Sequence, residues 1–355
     1  MPNSLIDIFI RLVREYSPPG REDGVKELVL SEIDKYTNAV EDNFGNIYAQ
    51  IDGVGTPLFL CAHMDNVEPC NNVKPSISNG RIHSDGTTIL GADNKAAIAA
   101  IINMTQKISR SRKKHRPIEL IITKSEESGN YGAIKFNYNL LNAKEGFCFD
   151  SVSKIGTIVL SSPAYERFDI SLIGNGAHAS KPQDANNPID GFIWLQKKVK
   201  TGIVSNNMIA NIGVVKIGSV RNAVPGTVNI EGEMRSISER DIILYKAELK
   251  DALKKTLIKF KLSGRLKIAR ENDGYKVLKN NPTIAHAIKS TLSIRTTPNL
   301  INSWAISDAN IFNTKGLCCI NLGDGVKNAH TTKESISIKD LMRLEQLMHA
   351  LISGH

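Results

Sequence analysis

Short apolar runs followed by a polar or acidic residue recur along the first half of the chain. Residues 57–62 precede His63, residues 118–123 precede Glu126, and residues 146–149 precede Asp150. Runs of this length, separated by a helical pattern over residues 95–104, predict buried strands of βαβ units. We therefore expect a mainly parallel sheet flanked by helices, which is an α/β fold.

The pattern changes near residue 164. An alternating segment at 165–174 is followed by a helical pattern from 188 to about 202, strands at 209–218 and 227–235, a helix from 239 to about 262, and a strand at 265–270. This β-α-β-β-α-β order is typical of a ferredoxin-like α+β unit. Another buried-strand run follows at 317–323. The chain is therefore expected to form one catalytic α/β domain from residues 1–163 and 279–355, with an α+β domain inserted at 164–278.

Composition is that of an ordinary globular enzyme. The chain has 355 residues, of which 41% are hydrophobic and 23% charged, so it can bury a large core. The apolar N-terminal segment is interrupted by Asp7, Arg11 and Arg14, which predicts an amphipathic helix and not a signal peptide. No stretch approaches the roughly 18 apolar residues of a membrane span. The five cysteines include no CxxC pair, which favours reduced thiols and a cytoplasmic protein.

A formal net charge of +9 raises the possibility of nucleic-acid binding. The basic runs at 107–116 and 246–267 carry most of this charge density. The first lies at a predicted helix end, and the second is interleaved with Glu248 and Asp251. Neither includes the aromatic residues on which single-stranded bases stack, so both are interpreted as solvated surface and no nucleic-acid partner is expected.

Acidic and imidazole side chains follow the predicted strands at widely separated positions. In open α/β sheets the ligand crevice lies at the carboxyl ends of the strands, so such residues converge in space. Together they predict a two-metal hydrolase site. The positions are His63, Asp65, Asp93, Glu126, Glu127, Asp150 and His330.

Each residue type suits one task at such a site. His63 and Asp65 alternate along one strand, so they share a face, and Asp65 can orient the imidazole while His63 binds metal. Asp93, at a strand-to-helix turn, is the expected bridge between two ions, and Asp150 and His330 complete their ligands. Of Glu126 and Glu127, one would bind metal and the other act as general base. Taken singly these residues have ordinary readings, for example Asp93 as a helix N-cap. The other histidines lack this setting and are interpreted as structural or surface residues: His83, His115, His286, His349 and His355.

Short stretches that match the motifs of a known protein family occur along nearly the whole chain. They include 17–22, 62–65, 91–95, 125–129, 149–150, 176–180, 222–226 with Arg235, 307–313 and 329–332. In these stretches the chain resembles the co-catalytic zinc metallopeptidases that include peptidase T, carboxypeptidase G and aminoacylase, and most of all the peptidase T-like branch. A rival group, the tetrahedral and glutamyl aminopeptidases, shares the His-x-Asp and Glu-Glu pairs. That group has its extra domain between the first His and the bridging Asp, whereas here only thirty residues separate His63 from Asp93.

The resemblance implies a role for each matching residue. His63 and Asp150 would bind one ion, Glu127 and His330 the other, and Asp93 both. Glu126 would be the general base that activates a water between the metals, and Asp65 would orient His63. Zinc suits mixed carboxylate and imidazole ligands best, while cobalt and manganese also fit.

The resemblance also gives the inserted domain a function as lid and dimerisation domain. His178 would donate to the reaction centre, sometimes across a homodimer, and Asn222 and Arg235 would grip the substrate's carboxylate or carbonyl oxygens. Two of these residues have plainer alternatives. His178 could be a strand-end residue bonded to local backbone, and Arg235 could be an ion-pair partner of Glu231 or Glu233.

The implied activity is cleavage of small peptides in the manner of an aminopeptidase or tripeptidase. An N-acyl amino acid deacylase would use the same metal site, and a non-catalytic binding protein would need neither the base nor a full set of ligands. One segment departs from the family pattern. Related sequences tend to have a glycine-rich loop before Ser307, but here residues 303–306 read Ser-Trp-Ala-Ile, so Trp304 is expected to narrow the pocket. Asp308 would support the site from behind or cap a helix.

Overall fold

The computed structural model describes residues 4–111 and 113–353. It divides into two compact units, one formed by residues 1–161 and 277–355 and the other by residues 162–276. The first unit begins with α1 (Ser4–Arg14), α2 (Asp23–Ile33), β1 (Ala39–Glu41), β2 (Ile47–Ile51), β3 (Leu58–His63), β4 (Ser76–Ser78), β5 (Arg81–His83), α3 (Ala92–Ser109), β6 (Ile118–Thr123), α4 (Tyr131–Lys135), β7 (Glu145–Ser151) and β8 (Thr157–Ser162).

The remaining elements follow in chain order. The inserted unit contains β9 (Ala164–Ile173), β10 (Ala177–His178), α5 (Pro188–Lys198), β11 (Gly202–Ser205), β12 (Met208–Ile217), β13 (Ala223–Val224), β14 (Thr227–Ser236), α6 (Glu239–Lys259), β15 (Ser263–Asn272) and β16 (Tyr275–Lys276). The chain then returns to the first unit with α7 (Pro282–Ser293), β17 (Asn299–Asn302), α8 (Asp308–Thr314), β18 (Cys318–Gly323), β19 (Val326–Lys327), β20 (Ser335–Ser337) and α9 (Ile338–Ile352).

The main sheet of the first unit has the order β1-β2-β6-β3-β7-β18-β8. Its central pairs, β6 with β3, β3 with β7 and β7 with β18, are parallel. Antiparallel pairs occur toward the edges, where β2 joins β6 and β1. Every residue of β3 and β6 is buried, as strands covered on both faces require. The predicted fold class, a mainly parallel sheet with an inserted α+β domain, is confirmed.

Helix α3 is the central helix of this unit. All of its residues from Ala92 to Thr105 are buried, and it packs against α1, α2, α9 and β3. A helix that is apolar on all sides belongs in the interior, and the alanines at 96, 97, 99 and 100 allow its neighbours to approach closely. Because α3 begins next to the predicted metal ligand Asp93, this packing holds that part of the predicted site rigidly.

The inserted unit is a sheet of order β11-β12-β14-β9-β15 with helices α5 and α6. All of its strand pairs are antiparallel. Without the edge strand β11, this is the ferredoxin-like arrangement that the sequence predicts. The sequence does not predict β11, and the helix that it predicts from 188 to about 202 ends earlier in the structure, at Lys198.

The basic run at 107–116 is only partly the solvated surface expected from sequence. Arg116 has a side chain that is 15% exposed and forms an ion pair of 2.6 Å with Glu145, while its Nε donates to the carbonyl of Thr56 at 2.7 Å. Arg112 and His355 lie outside the described residues. Within the described part of the chain, no helix has the length and apolar character needed to cross a membrane.

Candidate two-metal active site

The predicted ligands meet at the carboxyl ends of adjacent parallel strands. His63 is the last residue of β3 and pairs with Thr123, the last residue of β6. Cys61 pairs with Cys148 of β7, so Asp150, two residues further on, comes level with His63. Parallel strands in register thus bring together residues that are far apart in sequence.

The first ligand group lies on the buried side of the site. His63 Nε2 is 3.4 Å from Asp93 Oδ1 and 3.8 Å from Asp150 Oδ1, and His63 and Asp93 are 2% and 4% exposed. Among the described residues, neither His63 Nε2 nor Asp93 Oδ1 has a hydrogen-bond partner. Buried polar atoms without partners are costly, and a cation between these three side chains would satisfy them.

The second ligand group is more open. His330 Nε2 lies 2.8 Å from Glu127 Oε1 and 3.4 Å from Asp93 Oδ2, and the His330 side chain is 48% exposed. His330 has a φ of 63°, a left-handed conformation that is uncommon for a residue other than glycine and is typical of functional sites. One face of the site therefore remains accessible to substrate.

Asp93 joins the two groups. Its Oδ1 faces His63 and its Oδ2 faces His330, so each oxygen serves a different group. Ligand atoms of His63, Asp93 and Asp150 lie within 4.8 Å of one another, and so do those of Asp93, Glu127 and His330. Carboxylate and imidazole donors in two adjacent groups that share one carboxylate fit two divalent ions.

The charges of the site shift the pKa values of its members in opposite directions. Burial alone would raise the pKa of Asp93, but the neighbouring imidazoles of His330 and His63 lower it. Burial raises the pKa of Asp150 to about 7 and also raises the pKa of Glu126. Close contacts with Asp93 and Glu127 raise the pKa of His330 to about 10. Strongly perturbed acids and bases clustered at strand ends are typical of a catalytic centre.

Comparison with known proteins agrees with this geometry. A family model described as peptidase family M20/M25/M40 matches residues 59–354. The chain belongs to peptidase family M20/M25/M40. This membership confirms the resemblance drawn from the sequence stretches and identifies the chain as a metal-dependent hydrolase of the peptidase type.

Individual known proteins are similar over most of the chain. An uncharacterised protein of Bacillus subtilis, YqjE, is 30% identical over 311 residues, which are 87% of this chain and 84% of that protein. A tripeptidase from Staphylococcus aureus superposes with a TM-score of 0.96 at 31% identity, covering 99% of this chain and 97% of that one. Aminopeptidase PepT from Bacillus cereus gives a TM-score of 0.92 at 29% identity, with the same coverage.

In this M20 chain, Asp65 contacts both the buried imidazole and the glutamate pair. Its Oδ1 lies 3.4 Å from His63 Nδ1 and accepts a hydrogen bond from Glu126 N at 2.9 Å. Its Oδ2 accepts from Glu127 N at 2.9 Å. The side of His63 that faces away from the ligand group is thereby fixed, and the loop carrying both glutamates is tied to β3.

Several buried residues that support the site are not predicted from sequence. Glu334 accepts hydrogen bonds from Gly91 N at 2.7 Å and Asp93 N at 3.0 Å. Asn321 brackets the Asp150 peptide, accepting from its N–H and donating to its carbonyl at 3.0 Å each. Outer contacts of this kind fix the orientation of ligands.

The loop before Glu126 has a support of its own. Glu22 Oε1 accepts from Ser125 N at 3.1 Å and Ser125 Oγ at 2.9 Å, and Glu22 is fully buried. The sequence contains a signal for this residue, because Glu22 ends one of the stretches, 17–22, that match the family. That match by itself indicates no role for Glu22 in the site.

A cavity of about 260 Å³ opens beside the ligands. Its wall includes the apolar residues Val152, Ile301 and Ile306 together with Glu126 and His330. Ser303 and Ala305 from the unusual 303–306 segment also line it, whereas Trp304, whose side chain is 37% exposed, is not among the lining residues. The described residues therefore do not support the expectation that Trp304 narrows the pocket. Ile306 is instead the bulky residue of this segment that lines the cavity.

The other predicted site residues lie in the inserted unit. His178 on β10 pairs with Ala223 on β13, next to Asn222, whose carbonyl accepts from Ala179 N at 2.9 Å. His178 is exposed, and its Nδ1 accepts from Ser180 N at 3.2 Å, which leaves Nε2 directed elsewhere.

Arg235 lies on β14. Its guanidinium forms an ion pair of 3.1 Å with Glu233 and stacks on Tyr165 with the ring centroid 5.0 Å away. The ion pair is one of the plainer alternatives considered from sequence. The Arg235 side chain is 29% exposed, and a guanidinium presents up to five N–H groups in a planar fork that matches carboxylate oxygens.

Proposed function

We propose that this chain hydrolyses the peptide bond of small peptides in the manner of an aminopeptidase or tripeptidase, with two divalent metal ions. The observation that carries the proposal is the division of Asp93 between two ligand groups, with one carboxylate oxygen facing each. Such sharing suits a pair of adjacent ions. The glutamate next to the ligand Glu127 would then be left for proton transfer.

In this proposal His63 and Asp150 would hold one ion, Glu127 and His330 the other, and Asp93 both. Such ions would supply a water of lowered pKa and polarise the carbonyl oxygen of the substrate. Glu126, whose carboxylate is within 4.8 Å of ligand atoms of His63 and Glu127, accepts the proton of the attacking water and passes it to the leaving nitrogen.

Zinc is the metal that we propose, because borderline imidazole nitrogens and carboxylate oxygens suit it and the site retains open positions. Cobalt and manganese fit the same donors. A cytoplasmic location is also part of the proposal, and it is supported by five free cysteines, which are typical of a reducing compartment.

The size of the cavity favours short substrates. A volume of about 260 Å³ falls just below the roughly 300–1,000 Å³ of ordinary ligand pockets. The wall formed by Val152, Ile301 and Ile306 suits one small apolar side chain beside the scissile bond. Similarity to a tripeptidase and an aminopeptidase supports the same substrate class.

We expect purified protein loaded with zinc to cleave tripeptides that have a free amino terminus with a higher kcat/KM than N-acetyl amino acids. The physical reason is that the cavity is short and lies beside the more exposed group of Asp93, Glu127 and His330, which can bind the ends of a small peptide. Product analysis by chromatography on a panel of di- and tripeptides and N-acetyl amino acids would measure this. A preference for the acylated amino acids would instead support the deacylase alternative.

The inserted unit is proposed to act as lid and dimerisation domain. His178 and Arg235 lie at opposite ends of the β9–β14 ribbon, because His178 lies beyond Thr227, where β14 begins, and Arg235 is eight residues further along that strand. At about 3.3 Å per residue, the strand from Thr227 to Arg235 is about 26 Å long. A separation of this order favours a homodimer in which the two side chains serve different sites.

The proposed dimer surface has a suitable character. Strand β11 is an edge of the inserted sheet, and its Ile203 is 74% exposed. On the neighbouring β12, Val214, Val215 and Ile217 are each 38% exposed. An apolar sheet edge is a template for pairing with a second chain.

Complementation tests whether His178 acts across the dimer. We expect His178→Ala and Glu126→Gln to be nearly inactive as homodimers. The first removes an oxyanion donor, and the loss of one such donor alone costs about two to three orders of magnitude in kcat. The second removes the proposed general base. Mixed dimers should recover activity, since one of their two sites would contain an intact Glu126 and receive an intact His178. Kinetics of co-expressed, doubly tagged heterodimers measure the recovery. Absence of recovery would place His178 in its own subunit's site or outside catalysis.

A further inference from the structure

The side chain of Asn130 contacts the proposed general base. Asn130 is 2% exposed, and its Nδ2 donates to Glu126 Oε1 at 2.6 Å and to Asp308 Oδ1 at 3.0 Å. A primary amide has two N–H groups, so one is directed to each carboxylate. A hydrogen bond to an ionised acceptor is roughly twice as strong as one between neutral groups.

We propose that Asn130 is a positioning residue that holds the carboxylate of Glu126 for proton transfer, with Asp308 fixing the amide from behind. The inference rests on the proposed function, because it assigns Glu126 the role of base. Asn130 holds Oε1, and the other carboxylate oxygen is thereby turned toward the attacking water. Asn130 itself touches neither substrate nor metal in this scheme.

The backbone of the loop explains why this position carries Asn. Asn130 has a φ of 58°, in the left-handed region that Asn tolerates better than most residues. Its N–H donates to the carbonyl of Glu126 at 2.8 Å, and Gly132 N donates to the carbonyl of Lys124 at 2.8 Å. A Cβ at Gly132 would lie 2.3 Å from that carbonyl oxygen. The loop is therefore tightly closed, and its geometry directs the Asn130 side chain back to Glu126.

Asp308 anchors the amide to the sheet. It is 3% exposed, and Thr123 Oγ1, at the end of β6, lies 2.6 Å from its Oδ2. Asp308 begins α8 in the second segment of the chain, whereas Glu126 and Asn130 belong to the first. The network thus connects the base loop to both the central sheet and the returning segment.

A purely local role for Asn130 does not account for these contacts. Asn130 occupies the N-cap position of α4, but within the described structure its side chain makes no capping hydrogen bond to that helix. Its amide donates to two acidic side chains instead. A capping side chain would bond to the backbone of the helix, whereas this side chain bonds to the proposed general base.

Two variants remove the donor while retaining a residue that tolerates the left-handed conformation. Asn130→Gly removes the side chain, and Asn130→Asp keeps its shape but carries no N–H. Both should lower kcat by about ten- to a hundredfold, the usual effect of losing an outer partner, with KM and metal content unchanged. Asn79→Gly is the matched control, because Asn79 also has a positive φ of 48° but is exposed in the turn between β4 and β5. It should retain wild-type kcat.

A crystal structure of metal-free Asn130→Gly gives a readout independent of turnover. The Glu126 carboxylate should leave its wild-type position or adopt several rotamers, while the backbone of residues 124–132 stays in place. Unchanged kcat in both variants, or an unmoved Glu126, would overturn the inference. A fall in kcat accompanied by equal loss of bound metal would also overturn it, because it would indicate general disruption. If the proposed function itself is wrong, the result differs: the wild-type protein would hydrolyse none of the peptides. The comparison of crystal structures would then still test whether Asn130 positions the Glu126 carboxylate.

Discussion

Glu126→Gln is expected to lower kcat by about two to four orders of magnitude while leaving metal content and fold unchanged. The amide of Gln has nearly the shape of the carboxylate but cannot accept a proton at neutral pH. The contacts that position the residue survive, because Asp65 accepts from the backbone N–H of Glu126 and the Gln oxygen can still accept from Asn130. Steady-state kinetics on a tripeptide, together with metal analysis and circular dichroism, measure the effect.

A matched control for this variant is Glu27→Gln, which removes a carboxylate from an exposed position of α2 and should leave kcat unchanged. Substantial turnover by Glu126→Gln would reject Glu126 as the base. Loss of metal together with activity would instead make Glu126 a ligand and shift the role of base to Glu127. The two glutamates, adjacent in sequence, are thereby distinguished by metal content alone.

The fold follows from the sequence where apolar runs end abruptly. The run at 118–123 stops at Lys124, and the strand β6 ends at Thr123. The short edge strand β11 and the hairpin of β4 and β5 are not predicted this way, since segments of three or four mostly exposed or half-buried residues carry no clear period. Their existence depends on pairing with neighbours that are set by the tertiary fold.

The metal site is more predictable than its supports. A ligand such as Asp150 can be predicted because it follows a buried strand, and the carboxyl ends of such strands line the ligand crevice of the sheet. Glu334 has no comparable signal, because its partners Gly91 and Asp93 are distant in sequence. Asn130 is likewise an ordinary turn residue until the returning segment places Asp308 against it. Residues whose role comes from contact between two distant segments require the structure.

Asp93→Asn is expected to abolish binding of both metal ions, and activity with them. Asp93 supplies one oxygen to each ligand group, and a neutral amide is a much weaker ligand for two adjacent cations than a carboxylate. The backbone N–H of Asp93 still donates to Glu334, so the turn before α3 should persist. Metal analysis after gel filtration measures the loss, and differential scanning fluorimetry should show that added zinc no longer stabilises the fold, since stabilisation requires binding to the native state.

His330→Ala provides the contrast that makes this prediction specific. In the described part of the chain, the ion pairs of His330 are with Glu127 and Asp93, so its removal should release one ion and leave the buried group around His63 loaded. Equal loss in both variants would mean that the ions bind cooperatively and that Asp93 is no more central than His330. Retention of both ions by Asp93→Asn would remove the bridging carboxylate from the proposal, and the case for a shared two-metal centre with it.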